Sequence, residues 1–270
     1  MKRFLSNILL GIVLVAGIGF LSYPTLSNWL NDRNQTRAVA TYVEETKDIS
    51  EEKKEIALEA VKAYNQSLLN KSDRYRLSEE EENAYRELLD VTGTGIMAYV
   101  EIPKLDVLLP IYHGTEESVL QIAIGHIPGS SFPIGGAGSH SVISGHRGLP
   151  SAKLFTDLDK LESGDYFFIN VLGDTLAYRV DKIDIVNPDE IENLEIENDK
   201  DYVTLVTCTP YGVNSHRLLV RGERTNYEKP DTKVLEKKVR KFDFMNIIPV
   251  IVVFALFILF ALWMIKRRKK

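Results

Sequence analysis

The chain reads as a mainly β domain preceded by helices and carried between two membrane-spanning segments. Three observations predict this. Short β-type runs, separated by Gly, Pro, Asn and Asp, fill the stretch after Gly93-Thr94-Gly95. Residues 31–90, ahead of them, are charged and carry apolar residues at helical spacing. Each end of the chain holds an apolar run beside basic residues.

The ends set the topology. Ile8 to Leu21 is almost purely apolar and follows Lys2 and Arg3. The run continues to Tyr23 without a small-residue cleavage site, so an uncleaved signal anchor is expected over residues 1–30. Ile247 to Ile265 carries no charge and is long enough to cross a hydrocarbon core of roughly 30 Å. A basic tail, residues 266–270, follows it. Positive flanks at both ends place both termini in the cytoplasm and the middle of the chain outside. Residues 1–22 and 246–270 hold seven basic and no acidic residues, which leaves 26 basic against 38 acidic in between. An ectodomain with that acidic excess is unsuited to nucleic acid, whose phosphates need basic surface.

Within the helical appendage, residues 31–95, Ile56, Ala60, Val61, Tyr64 and Leu68 form a one-sided stripe. Asp48 with Glu51 makes a capping box at its start, and Ser78 with Glu81 opens a second helix through Tyr85, Leu88 and Leu89. Seven β runs follow: Met97–Ile102, Val107–Ile111, His140–Ser144, Tyr166–Val171, Thr175–Val186, Tyr202–Cys208 and Arg217–Arg221. Strands this short and numerous imply a sandwich or a barrel over residues 96–225. Residues 226–246 are highly charged and read as a solvated stalk.

Cys208 is the single cysteine. Outside the cell a lone thiol is buried and inert, bonded to another molecule, or reactive. A reactive thiol needs a base or cation beside it. Of the five histidines, His146 has the most suitable context: it follows a strand and stands between glycines in Ser144-Gly145-His146-Arg147-Gly148. His126 is also expected on a loop, as a turn histidine bonding to backbone, while His113 and His140 carry no special signal. Arg217 and Arg221 share one strand face and can each supply a permanent positive charge. Metal-ligand spacings and phosphate-binding glycine loops are absent from the sequence, so no cofactor or metal is expected.

Thr204-Leu205-Val206-Thr207-Cys208 resembles the Thr-Leu-x-Thr-Cys signature of sortases. His146 and Arg217 match the family's histidine and arginine in order. Ser144-Gly145-His146-Arg147-Gly148-Leu149-Pro150, Lys153 to Leu161, and Cys208-Thr209-Pro210-Tyr211 resemble the pilin-polymerising class C sortases of Gram-positive bacteria. The resemblance covers about residues 40–225. It implies an eight-stranded β-barrel and transpeptidation at a Leu-Pro-x-Thr-Gly-like sorting signal on pilin subunits, with Cys208 as nucleophile, His146 as proton donor and Arg217 at the oxyanion. It also implies an N-terminal lid with an Asp-Pro-aromatic motif. Here that place reads Asp73-Arg74-Tyr75. The lid would pair Asp73 with Arg217 and lay Tyr75 over Cys208. With arginine where the motif has proline, φ is not fixed and a less rigid loop is expected. Attachment of proteins to peptidoglycan and a non-catalytic tethered module are the competing readings. A chain that is itself a sorting substrate is not, because Lys241 to Asn246, just ahead of the apolar run, holds no such signal.

Overall fold

The computed structural model describes residues 2–227. The expected C-terminal anchor, the basic tail and nearly all of the stalk lie outside the described residues. Three helices precede the barrel: α1 Lys2–Lys47, α2 Glu51–Leu68 and α3 Glu79–Glu87. The strands are β1 Ile96–Ile102, β2 Val107–His113, β3 Ile124–His126, β4 Ser139–Ser144, β5 Tyr166–Val171, β6 Asp174–Val186, β7 Asp201–Thr209 and β8 His216–Thr225, with a single helical turn, α4 Glu117–Leu120, before β3. They close into a barrel in the order β1-β2-β3-β4-β7-β8-β6-β5. The pairs β2–β3 and β4–β7 are parallel and the rest antiparallel.

Seven of these strands match the expected runs, and β3 is the addition. Three residues, Ile-Gly-His, are too short to show alternation, yet β3 is the link that joins β2 to β4. His126 therefore stands in a strand and not on a loop. The barrel interior holds alternate residues of each strand, among them Val100, Ile102, Ile143, Ile169, Val203, Leu205, Leu218 and Val220.

α1 is one continuous helix across the expected break at residue 30, with Pro24 inside it. Its first part is apolar and long enough to cross a membrane. Its last part packs on the barrel, where Tyr42 is buried and its hydroxyl donates to Met97 O (3.0 Å) and accepts from Leu172 N–H (3.1 Å). The N-cap of α2 is Ser50, whose hydroxyl accepts from Lys53 N–H, and not Asp48. Packed on the barrel core, α2 buries Val61, Asn65 and Leu68 and leaves Ile56 and Ala60 exposed, so the apolar stripe is rotated from the expected one. The Ser78–Glu81 capping box of α3 is present in both directions.

α3 is docked by one side chain. Tyr85 is fully buried, and its hydroxyl accepts from Gly114 N–H at 3.0 Å and donates to His126 O at 3.1 Å. Its ring lies among His113, His126, Phe132 and Tyr64. Burial pushes the phenol far above its ordinary range, so it stays neutral. Tyr85→Phe should lower stability by about 1–3 kcal/mol, because it strands the Gly114 N–H in the interior. Chemical unfolding of the full chain in detergent measures this.

Candidate active site

The site is built on β7 by its two neighbours. β4 runs parallel to β7 with Ser144 opposite Val206. The chain keeps that register past the end of β4: Gly145 N–H donates to Val206 O at 3.0 Å, and Thr207 Oγ1 donates to Gly145 O at 2.7 Å. His146 is the next residue of that chain, so it follows β4 on the side of β7 opposite β8. On the other side, β8 pairs Arg217 directly with Cys208. Thr204, Val206 and Cys208 share the outer face of β7, and Arg217, Leu219 and Arg221 share the outer face of β8. The three residues singled out in the sequence thus converge, with the thiol in the middle.

Each partner is held by its surroundings. Gly145 has no room for a side chain, since a Cβ there would lie 2.7 Å from Ile124 and 2.8 Å from Phe155. The residue before His146 must therefore be glycine. Arg147 donates to Thr209 Oγ1 (3.1 Å) and to Asp159 (2.5 Å), which ties the His146 loop to the end of β7. Phe155 N–H donates to His146 O at 3.2 Å. His146 Nε2 is shielded from solvent and has no hydrogen-bond partner among the described residues, and the nearby Glu117 carboxylate is 3.8 Å away. Cys208 is half-buried.

Arg217 and Arg221 now separate. Arg221 pairs with Asp181 at 2.6 Å and stacks on Tyr202 at 4.0 Å, so its charge is committed. The Arg217 guanidinium donates only to backbone carbonyls, of Asn214 (3.3 Å) and His216 (3.1 Å). No carboxylate pairs with it among the described residues, so its charge remains open to an anion.

The Asp73-Arg74-Tyr75 loop lies on this same outer face. Tyr75 packs against a cluster of Val142, Val186, Leu194, Val206 and Leu219, of which Val206 and Leu219 lie two residues from Cys208 and Arg217 on the same strand face. Burial raises its phenol above the ordinary value. The expected pairing of Asp73 with Arg217 is absent. Asp73 instead faces Arg76 at 3.7 Å in an exposed pair. Arg74 takes over the anchoring: it is buried, donates to Leu194 O at 2.6 Å, approaches Glu195 at 3.4 Å and stacks on Tyr75 at 5.0 Å. The expected looseness at this position is offset by a side chain that clamps the loop to the β6–β7 connection.

The Sortase domain family matches residues 100–225. Sortase C1 from Streptococcus agalactiae is 46% identical, with a TM-score of 0.69 over 71% of this chain and 100% of that one. The chain belongs to the sortase family. A structure of Clostridium perfringens sortase C with the C-terminal cell wall sorting motif is 41% identical, with a TM-score of 0.63 over 71% of this chain and 99% of that one. Sortase D of Bacillus subtilis is 30% identical over 128 residues, 46% of this chain, and the chain spans 62% of that curated relative's length.

Sequence reasoning passed over one residue of this sortase's site, His140. It is buried on β4, its Nε2 lies 2.7 Å from Thr204 Oγ1, and its Nδ1 lies 2.8 Å from Glu195 O. Both threonines of the Thr-Leu-x-Thr-Cys run therefore bond across to the β4 chain. Desolvation holds His140 down at about 4 and His126 down at about 3, so both are neutral struts and not proton carriers. Both values lie below the ordinary 6.5. Unfolding therefore takes up protons below pH 6.5, and the stabilisation is full above that pH and lost as pH falls toward 4 and then 3. Chemical unfolding across pH 7 to 4 should show stability falling by up to about 1.4 kcal/mol per pH unit for each histidine. His140→Gln should remove its share of that slope.

Proposed function

We propose that this sortase is a membrane-anchored cysteine transpeptidase that cleaves a Leu-Pro-x-Thr-Gly-like signal and joins its threonine carbonyl to a lysine amine of a pilin subunit. The observation that carries the reading is the register of β7, which holds Cys208 between His146 and Arg217. Two further observations support it. The solved sortase C structures are covered almost completely by this chain at above 40% identity. One of them holds a cell wall sorting motif.

Cys208 Sγ attacks the threonine carbonyl carbon, and the new carbon–sulfur bond pushes negative charge onto the oxygen. Arg217 meets that charge as a fixed donor in a partly dehydrated site. The carbon–nitrogen bond to glycine then breaks, and His146, whose Nε2 is uncommitted, gives the departing amine its proton. In the second half an incoming amine attacks the thioester, loses a proton to His146, and releases the thiolate. Splitting one exchange into two acyl transfers lowers each barrier.

In this reading Asp73, Arg74 and Tyr75 form a lid that rests over the outer face of β7 and β8 and withdraws when a sorting peptide arrives. Tyr75 supplies the cover and Arg74 the latch.

Incubation with Leu-Pro-x-Thr-Gly peptides should give an acyl adduct on Cys208 by mass spectrometry, absent in Cys208→Ala. Intact pilin ladders in cells carrying Cys208→Ala would sink the enzyme reading. Arg217→Ala should lower kcat by about 10²–10³-fold, as expected when an oxyanion donor is lost. Arg74→Ala should speed labelling of Cys208 by a thiol reagent. An unchanged rate in that variant and in Tyr75→Ala would remove the lid.

A further inference from the structure

We propose that the catalytic end of the barrel faces the membrane, with Tyr211 and Val213 on the β7–β8 loop seated in the lipid interface. The inference rests on the anchoring of α1 proposed above. α1 leaves the apolar run at Leu21 without a break in the helix. Six residues on, about 9 Å along the axis, Ser27 donates to Ser151 O at 3.3 Å, and one turn later Asn31 donates to the same carbonyl at 2.7 Å. Ser151 belongs to the loop that carries His146. The foot of the barrel, next to the lipid, is thus the end where this loop lies.

Strand directions give the same answer independently. Near its far end α1 bonds through Tyr42 to Met97, at the start of β1, so β1 runs toward the membrane. β2 is antiparallel to β1 and β3 parallel to β2, so both run away from it. β4 is antiparallel to β3 and β7 parallel to β4, so both return toward it. His146 follows β4, and Cys208 is near the end of β7. The β7–β8 loop then lies at the membrane-side end of the barrel.

The chemistry of that tip suits a phospholipid interface. Tyr211 is 61% exposed and Val213 70% exposed among the described residues. The Tyr211 ring is kept at the foot of the barrel, 2.9 Å from where a Cβ of Gly148 would be. A tyrosine with a wet hydroxyl and an apolar ring is favoured at the headgroup boundary. On α1, Tyr23 and Trp29 stand on either side of Ser27 along the helix. A thiol presented this way meets peptides as they emerge from the same bilayer.

The single cysteine makes the test direct. The full chain carrying Cys208→Ala is given one new cysteine, Ile12→Cys, Val213→Cys or Lys47→Cys, then labelled with a nitroxide. It is reconstituted in vesicles of phosphatidylglycerol and phosphatidylethanolamine. Lys47 ends α1, twenty residues beyond Ser27 and about 30 Å farther from the lipid. Electron paramagnetic resonance then compares collisions with oxygen and with a water-soluble nickel chelate. The oxygen-to-nickel ratio should be several-fold higher at Val213→Cys than at Lys47→Cys, and Tyr211→Cys should match Val213→Cys. If both loop labels match Lys47→Cys while the Ile12→Cys label is in lipid, the orientation is wrong. If the Ile12→Cys label also reports water, the anchoring is wrong and the inference falls with it.

Discussion

The site depends on the parallel pairing of β4 with β7 and its continuation by two hydrogen bonds, Gly145 N–H to Val206 O and Thr207 Oγ1 to Gly145 O. Parallel strands cannot be joined by a tight turn, so the histidine and the thiol come from distant parts of the chain. Their spacing is set by backbone register and not by side-chain flexibility. A slip of one residue would turn Cys208 into the barrel interior and place Thr207 beside the arginine. The β8 pairing adds the third group by the same rule, since Arg217 is the direct partner of Cys208.

Period two lets one pair of strands serve two purposes. Inward residues of β7 and β8, Val203, Leu205, Leu218 and Val220, fill the barrel, while outward residues carry the chemistry. The outer face has its own small apolar cluster around Val142, Val206 and Leu219, and Tyr75 packs onto it. The Asp73-Arg74-Tyr75 loop is therefore held by hydrophobic contact and by the Arg74 clamp on Leu194 and Glu195. An arginine can occupy the place of a proline here because its side chain supplies from outside the restraint that a ring would supply through φ.

Two of the three buried histidines, His126 and His140, contrast with His146. His126 and His140 are enclosed, bonded at both ring nitrogens and held neutral. His146 is partly open to solvent, and its Nε2 has no hydrogen-bond partner among the described residues. The enclosed histidines serve stability, and His146, the residue proposed to transfer the proton, carries no hydrogen bond at that atom among the described residues.

The mainly β character, seven of the eight strands, the apolar N-terminal segment and the candidates Cys208, His146 and Arg217 were legible in the sequence. These follow from local patterns: alternation, glycine-flanked loops and an ordered set of motifs. Four things needed the tertiary structure. β3 is too short for a periodic signal and exists because β2 and β4 need a strand between them. The inward face of α2 was set by the packing of Val61, Ala57, Leu58 and Tyr64 on the barrel core. The commitment of Arg221 to a carboxylate, Asp181, far away in the chain was set by strand pairing across the barrel. The partners of Asp73 and Arg74 lay across a loop that no spacing rule reaches. Local periodicity reports which face of an element is apolar, whereas ion-pair partners, strand neighbours and lid contacts are set by the closure of the barrel, which brings distant residues together.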